Sequence, residues 1–300
     1  MRKIHFSGHP AQLTVPEPVP GPGQLLIRTQ LAGVHLGMIR MIKADSSSDP
    51  GAEIVGTVAA AGPEVAPDWI GKRVGGVVFA GAHAEYVLAA PALMTEIPAG
   101  VQSADALAVV RGGLVALGAL RAGRFTAGES VLITAAASGS GHLAVQLAKA
   151  LGASRVVAAV RSADKAEFLR DCGADAVITY DEPWTESVDI VLDGVGGDLL
   201  QRSVETLAPQ GHLVAYSAGG GSVDVNSLLA HLKTVTGFSV GMLSRTRPDL
   251  IDSYRSELWE LLSAGHLRPH HTVFPLENIN KAVELIESRR NLGRVIVQTA

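Results

Sequence analysis

"SVLITAAASGSGHLAVQLAKALGA", residues 130–153, is the stretch that decides the fold of this chain. It opens with a β-type apolar run, which gives way to small residues and glycine. Leu143, Leu147 and Leu151 then recur every four residues, flanked by Ala144 and Ala148, as one apolar helix face requires. A strand, a glycine-rich turn and a helix start together make an anion site. The first helical turn offers unpaired N–H groups and a partial positive charge, and small side chains let a pyrophosphate reach the main chain. Against the pattern G-x-G-x-x-G the turn presents Ala136, Ser138 and Gly141, with Gly139 and Ser140 between them, so only the last position is glycine. Its weight comes from its place between the first strand and the first helix of an alternating series. The alternative is a packing turn that binds nothing.

That series continues through strand-like "RVVAAV" (155–160), helical "DKAEFLRDC" (164–172), the strands "AVITY" (176–180) and "VDIVLD" (188–193), helical "DLLQRSVETLA" (198–208) and strand-like "GHLVAYS" (211–217). Strands alternating with helices imply right-handed crossovers and a parallel sheet covered on both faces, an α/β doubly wound Rossmann domain. The first hundred residues read differently. "LLIRTQLAGV" (25–34), "AEIVGTVAAAG" (52–62) and "RVGGVVFAGAHAEYVLA" (73–89) are strands broken by glycine turns, which predicts a mostly antiparallel β domain. The C-terminal part reads as two helices and a last strand. The expected division is 113–250 for the Rossmann domain, and 1–112 with 251–300 for the other.

An acidic residue after the second strand would grip a ribose hydroxyl and favour NAD. Here that strand ends in Ala159, Val160, Arg161 and Ser162, with Lys165 shortly after. Two cations and a hydroxyl without a carboxylate at the strand end suit a 2′-phosphate, so NADPH is the expected cofactor. The alternative is that Arg161 and Lys165 are solvated residues at a helix start.

Composition sets further bounds. Hydrophobic residues make up 47% and charged residues 18%, as in ordinary globular proteins, and a net charge of −4 gives no footprint for nucleic acid. No apolar run reads as long enough to cross a bilayer, and the first residues lack a signal peptide's apolar core, so a cytoplasmic protein without a membrane partner is expected. The single cysteine, Cys172, excludes an intrachain disulfide and a cysteine-built zinc site.

With "VDIVLDGVGG" (188–197), "GHLVAYS" and the ending "NLGRVIV" (291–297), the opening stretch resembles the zinc-independent quinone oxidoreductase-like branch of the medium-chain dehydrogenase/reductase superfamily. "LAGVHLGMIR" (31–40), "PGAEIVGTV" (50–58) and "HAEYVLA" (83–89) resemble that branch's GroES-like catalytic domain. The resemblance implies NADPH in a cleft, a homodimer, and metal-free hydride transfer to a small molecule, either a quinone or an α,β-unsaturated carbonyl. By position it implies that Ser138 to Gly141 hold the pyrophosphate and that Lys165 and Tyr180 hold the adenosine phosphate end. Gly194 to Gly197 and Tyr216, Ser217 and Ala218 line the cofactor. Phe238 to Gly241, including Ser239, lie beside the nicotinamide, and Asn291 and Arg294 near the phosphates. The chain also departs from the family. Zinc-dependent relatives place Cys or His in the first catalytic segment and "GHE" after it. Here stand "GVHLGM" and "PGAE", with Ala52 at the histidine position, and His35 alone cannot hold a catalytic zinc. Ser138 replaces a family glycine, and Arg111 in "VVRGGLVAL" falls where relatives are usually apolar or amide-bearing.

For a conjugated carbonyl, hydride goes to the β-carbon and negative charge develops on the oxygen, which calls for a donor or a cation there. His35, Arg111 and Arg40 are the candidates. His35 has a packing role as its alternative, Arg111 a pairing with a carboxylate such as Glu53, and solvent could protonate the enolate. A Rossmann methyltransferase is argued against by Ala159, where an acid would serve the ribose. A non-catalytic NADPH-binding sensor and a biosynthetic reductase of a larger polyenone stay open. His83 is expected to be exposed in a glycine turn, and "HLRPHH" (266–271) to be a surface connection.

Overall fold

The computed structural model describes residues 1–300 apart from Gly8, Ser46, Ala218 and Ala300, and describes only the backbone of Ser7 and His9. The chain divides into two compact units, Gly112–Pro269 and Met1–Arg111 with His270–Ala300.

Within the Gly112–Pro269 unit, Ser130–Thr134 becomes a central strand of a six-stranded parallel sheet. Numbered along the unit, the strands lie in the order 3-2-1-4-5-6, the doubly wound arrangement. Its reversal point falls between Ser130–Thr134 and Val188–Asp193. Strands covered on both faces need nearly continuous apolar sequence, and Val156 to Val160 are buried without a break. Gly141–Ala150 is buried on every side from Gly141 to Ala148, which explains why its Leu stripe is padded with alanine. The sixth strand, Thr234–Gly237, was not foreseen. It is short and only half-buried at the sheet edge, so it carries neither an apolar run nor a clean alternation.

The return to the other unit comes at His270 and not at residue 251. The helix Pro248–Ser263 belongs with Gly112–Pro269 because it packs on Leu114–Ala122 and Val240–Thr246, and Arg121 reaches its Glu257 at 2.6 Å.

The Met1–Arg111 and His270–Ala300 unit holds a mostly antiparallel seven-stranded sheet. Its main path runs His271–Pro275, Arg294–Gln298, Leu25–Val34, Glu53–Ala61, Arg73–Val77, Met94–Glu96, with Tyr86–Ala89 also paired to Leu25–Val34. The hairpin Arg2–Ser7/His9–Thr14 stands beside it. The strand His271–Pro275 follows the connection read at 266–271, and the helix Leu36–Ala44 was not foreseen. His83 corrects an expectation: it is 2% exposed, its Nε2–H donates to the Gly33 carbonyl at 3.0 Å, and it meets Phe6 edge-on.

Ser103–Ala122 is a further correction. Its 20 residues are apolar and long enough to cross a membrane by length and composition, and 72% of that apolar window is buried inside the protein. A π-helical turn, Val109–Gly113, interrupts it around Arg111. Such turns insert extra backbone into a helix and recur at functional sites.

Candidate functional site

The glycine turn begins with strain. Ala135 sits in the left-handed region at φ 50°, costing about 1 kcal/mol or more for a residue with a Cβ. Its N–H is held by the Tyr180 hydroxyl at 2.9 Å. The phenol expected at the adenosine phosphate end is here a brace for the turn. Gly141 has no room for a side chain, since a Cβ would lie 2.7 Å from the Ala136 carbonyl oxygen and nearer still to that of Ala135. The helix start thus packs straight onto the strand end. Gly112 is pressed in the same way, its Cβ position 2.9 Å from the Gly139 carbonyl oxygen.

Ser138 turns its side chain into the helix start. Its Oγ accepts the Gly141 N–H at 3.0 Å, and its carbonyl accepts both the backbone N–H of His142 at 3.1 Å and the ring Nδ1–H at 2.8 Å. The hydroxyl that replaces a family glycine therefore occupies one amide that a phosphate would otherwise take. Among the described residues, the N–H groups of Gly139 and Ser140 have no partner, and both residues are partly exposed. Two free amides at the start of a ten-residue helix fit a phosphate. His142 escaped the sequence reading. Its position four residues after Ser138 was the available signal for a ring tied to the turn.

At the end of Arg155–Val160, Arg161 and Ser162 are exposed, and Lys165 is half-buried in the short turn Ala163–Lys165. Among the described residues no ion pair or hydrogen bond engages Arg161. Across the reversal point, the fully buried Asp193 organises the loop after its strand. It accepts the Thr134 hydroxyl at 2.8 Å and the N–H groups of Val195 at 3.2 Å and Gly196 at 2.8 Å. Thr134 accepts the Gly194 N–H at 2.9 Å, which ties both strand ends together. A Cβ on Gly194 would lie 2.6 Å from the Tyr216 hydroxyl. That hydroxyl is sealed from solvent without a partner among the described residues, and burial together with nearby Asp193 raises its pKa. Ser217 follows it, half-buried, while Ala218 lies outside the described residues. Phe238 packs against Gly118, where a Cβ would come within 2.9 Å of the ring, and Ser239 caps Val240–Thr246 by accepting the Met242 N–H at 3.3 Å.

In the other unit, His35 caps Leu36–Ala44, its Nδ1 accepting the Met38 N–H at 3.0 Å. That bond assigns the ring proton of the neutral form to Nε2. Burial first, then the charges of Arg111 and Arg294 and the neighbouring His83, hold its pKa well below 6.5. Glu53 is fully buried and forms an ion pair with Arg294, itself 7% exposed. The pair crosses Gly33, where a Cβ would lie 2.5 Å from the Glu53 carboxyl carbon. Arg294, expected near cofactor phosphates, is thus committed to a carboxylate. Arg111 brings Nε to 4.0 Å from the second oxygen of Glu53, as its pairing alternative foresaw, and 29% of its side chain stays accessible. Arg40 is exposed on Leu36–Ala44. Asn291 donates to the Gly293 carbonyl at 3.1 Å within a local turn.

A separate cavity of about 460 Å³ in this unit is lined by Lys3, Asp49, Phe79, Tyr86 and neighbours, and includes none of His35, Glu53, Arg111 or Arg294. Among the described residues no three His, Cys, Asp or Glu side chains come together as a metal site, and Ala52 is 2% exposed. Cys172 ends the helix Ala166–Asp171, and burial pushes its thiol up to about 11, so it is no ready nucleophile.

Residues 139–256 match the family described as zinc-binding dehydrogenase. Mouse prostaglandin reductase-3 is 28% identical over 94% of this chain and 83% of its own length. A mycocerosic acid synthase-like polyketide synthase of Mycolicibacterium smegmatis is 28% identical over 93% of this chain, which spans only 14% of that protein. Among solved structures, a mycobacterial protein complexed with NADPH superposes with a TM-score of 0.91 at 28% identity, over 99% of this chain and 100% of the other. The quinone oxidoreductase of Pseudomonas syringae pv. Tomato does so at 0.89 and 27% identity, over 99% of each chain. The glycine turn, the strand order and these likenesses converge: over nearly its whole length the chain is similar to quinone oxidoreductase-like proteins of the medium-chain dehydrogenase/reductase superfamily.

Proposed function

We propose that the chain is an NADPH-dependent reductase of quinones or α,β-unsaturated carbonyls that works without a metal ion. The observation that carries the cofactor reading is the pairing of two unspent amides, Gly139 and Ser140, with an unengaged Arg161 at the end of the next strand. The orphaned Tyr216 hydroxyl is a further donor for a bound group. The NADPH complex of the mycobacterial relative supports the choice of nucleotide.

When bound, the reduced nicotinamide supplies a hydride. His35 then meets the substrate's carbonyl oxygen with its Nε2–H. Because burial and the flanking guanidiniums keep the ring neutral, it lends a hydrogen bond to the developing enolate without giving up a proton. The proton that completes the α-carbon comes from solvent. Arg111 adds positive potential and remains protonated throughout. Losing one oxyanion donor typically costs about a hundredfold or more in turnover, and His35→Ala is expected to lose that much while NADPH affinity changes little.

The test follows NADPH absorbance with a panel of quinones and enones. Sustained oxidation is expected with NADPH and much less with NADH, and Arg161→Ala should narrow that gap. Binding of NADPH without turnover of any acceptor would refute the catalytic reading.

A further inference from the structure

Arg111 is a cation with more capacity than the protein uses. A guanidinium carries five N–H donors in a planar fork. Among the described residues no hydrogen bond reaches it, and its one ionic neighbour, Glu53, stands at 4.0 Å and is already engaged by Arg294. Two guanidiniums therefore share one carboxylate, which leaves the cluster with one positive charge uncompensated. Part of the Arg111 side chain stays open, with 29% of it accessible, while Glu53 is sealed and Arg294 nearly so.

Its placement is specific. Arg111 sits in the π-helical turn Val109–Gly113, where the inserted backbone departs from regular helix geometry. Its ionic neighbour Glu53 presses on Gly33, two residues before His35, so the fork and that ring belong to one cluster, and the ring's Nε2–H lies opposite the bond that caps the helix. A neutral donor and a free cationic fork thus stand within electrostatic reach of one another. Neutral quinones and simple enones would use the first and leave the second unpaired.

We infer that Arg111 selects substrates whose reducible enone also bears a carboxylate, the fork holding that carboxylate while His35 takes the carbonyl oxygen. This rests on the reductase reading above and narrows its substrate class. A fork-to-carboxylate pair of this kind is bidentate and charge-assisted, the strongest class of side-chain hydrogen bond.

Benzoylacrylate and its methyl ester differ in that charge and one methyl group, and benzoylpropionate and its methyl ester are their unreactive counterparts. Calorimetric binding of the unreactive pair, with and without NADPH, is expected to favour the acid at least tenfold. Arg111→Met should bring that ratio to about one, and Arg111→Lys should keep part of it. With the reactive pair, the ratio of kcat/KM for acid over ester should follow the same order. Equal affinity for acid and ester in the unaltered protein would overturn the inference, and so would a preference that survives Arg111→Met. Loss of NADPH affinity in Arg111→Met as large as the loss for the acid would overturn it too, assigning the guanidinium to a cofactor phosphate. Acid-selective binding that vanishes in Arg111→Met, with neither enone reduced, would uphold the anion site and refute the reductase reading alone.

Discussion

His35 and His83 are the side chains whose protonation the fold restrains most clearly. His83 is held at about 4 by burial, against an ordinary 6.5, with its bond to the Gly33 carbonyl only partly opposing the shift. In the unfolded chain both rings take up protons as pH falls through about 6.5, while the folded protein refuses them, so acid favours unfolding. For His83 the stabilising contribution is full above about pH 6.5 and is lost progressively down to about 4, on the order of 3 kcal/mol. Urea titrations at neutral pH and at pH about 4.5 should show that loss, and His83→Gln should flatten it. Glu53 obeys a different rule. Removing one member of a buried ion pair leaves an uncompensated charge and costs about 3–5 kcal/mol, so Glu53→Ala should unfold at markedly lower denaturant, measured the same way. The partnership of Arg111 with Glu53 was legible from the sequence as a residue choice. The burial of His83 and the diversion of Arg294 onto Glu53 were not, because both depend on chain neighbours brought together only by the sheet.

The turn between Ser130–Thr134 and Gly141–Ala150 was legible as an element. A period-two run, a cluster of small residues and a four-residue Leu repeat fix a strand, a turn and a helix with little else required. What Ser138 does there was not legible, since a hydroxyl can cap a helix or reach outward and only geometry chooses. Capping predicts a trade. Ser138→Ala should lose about 1 kcal/mol of stability, as cap removal usually does, and free the Gly141 amide, so that NADPH binds a few-fold more tightly. Thermal melts and a titration of the same variant check both halves. Thr234–Gly237 and Leu36–Ala44 escaped the sequence for a shared reason: each is short, and neither shows a full period of burial.

At the scale of the whole molecule, the two classes of unit followed from two rhythms, glycine-broken strands first and strand–helix alternation after. The boundary at His270 did not, because Pro248–Ser263 has the same amphipathic pattern whichever unit it joins. Its allegiance is settled by packing on Leu114–Ala122. The central claim is that the Gly112–Pro269 unit, with its spare amides and its unengaged Arg161, is built for a phosphorylated nicotinamide nucleotide. Titration calorimetry of the purified protein with NADPH and NADH tests this most directly. The account predicts NADPH binding at least tenfold tighter than NADH, with Arg161→Ala bringing the two together; equal affinities, or no heat from either nucleotide, would contradict it.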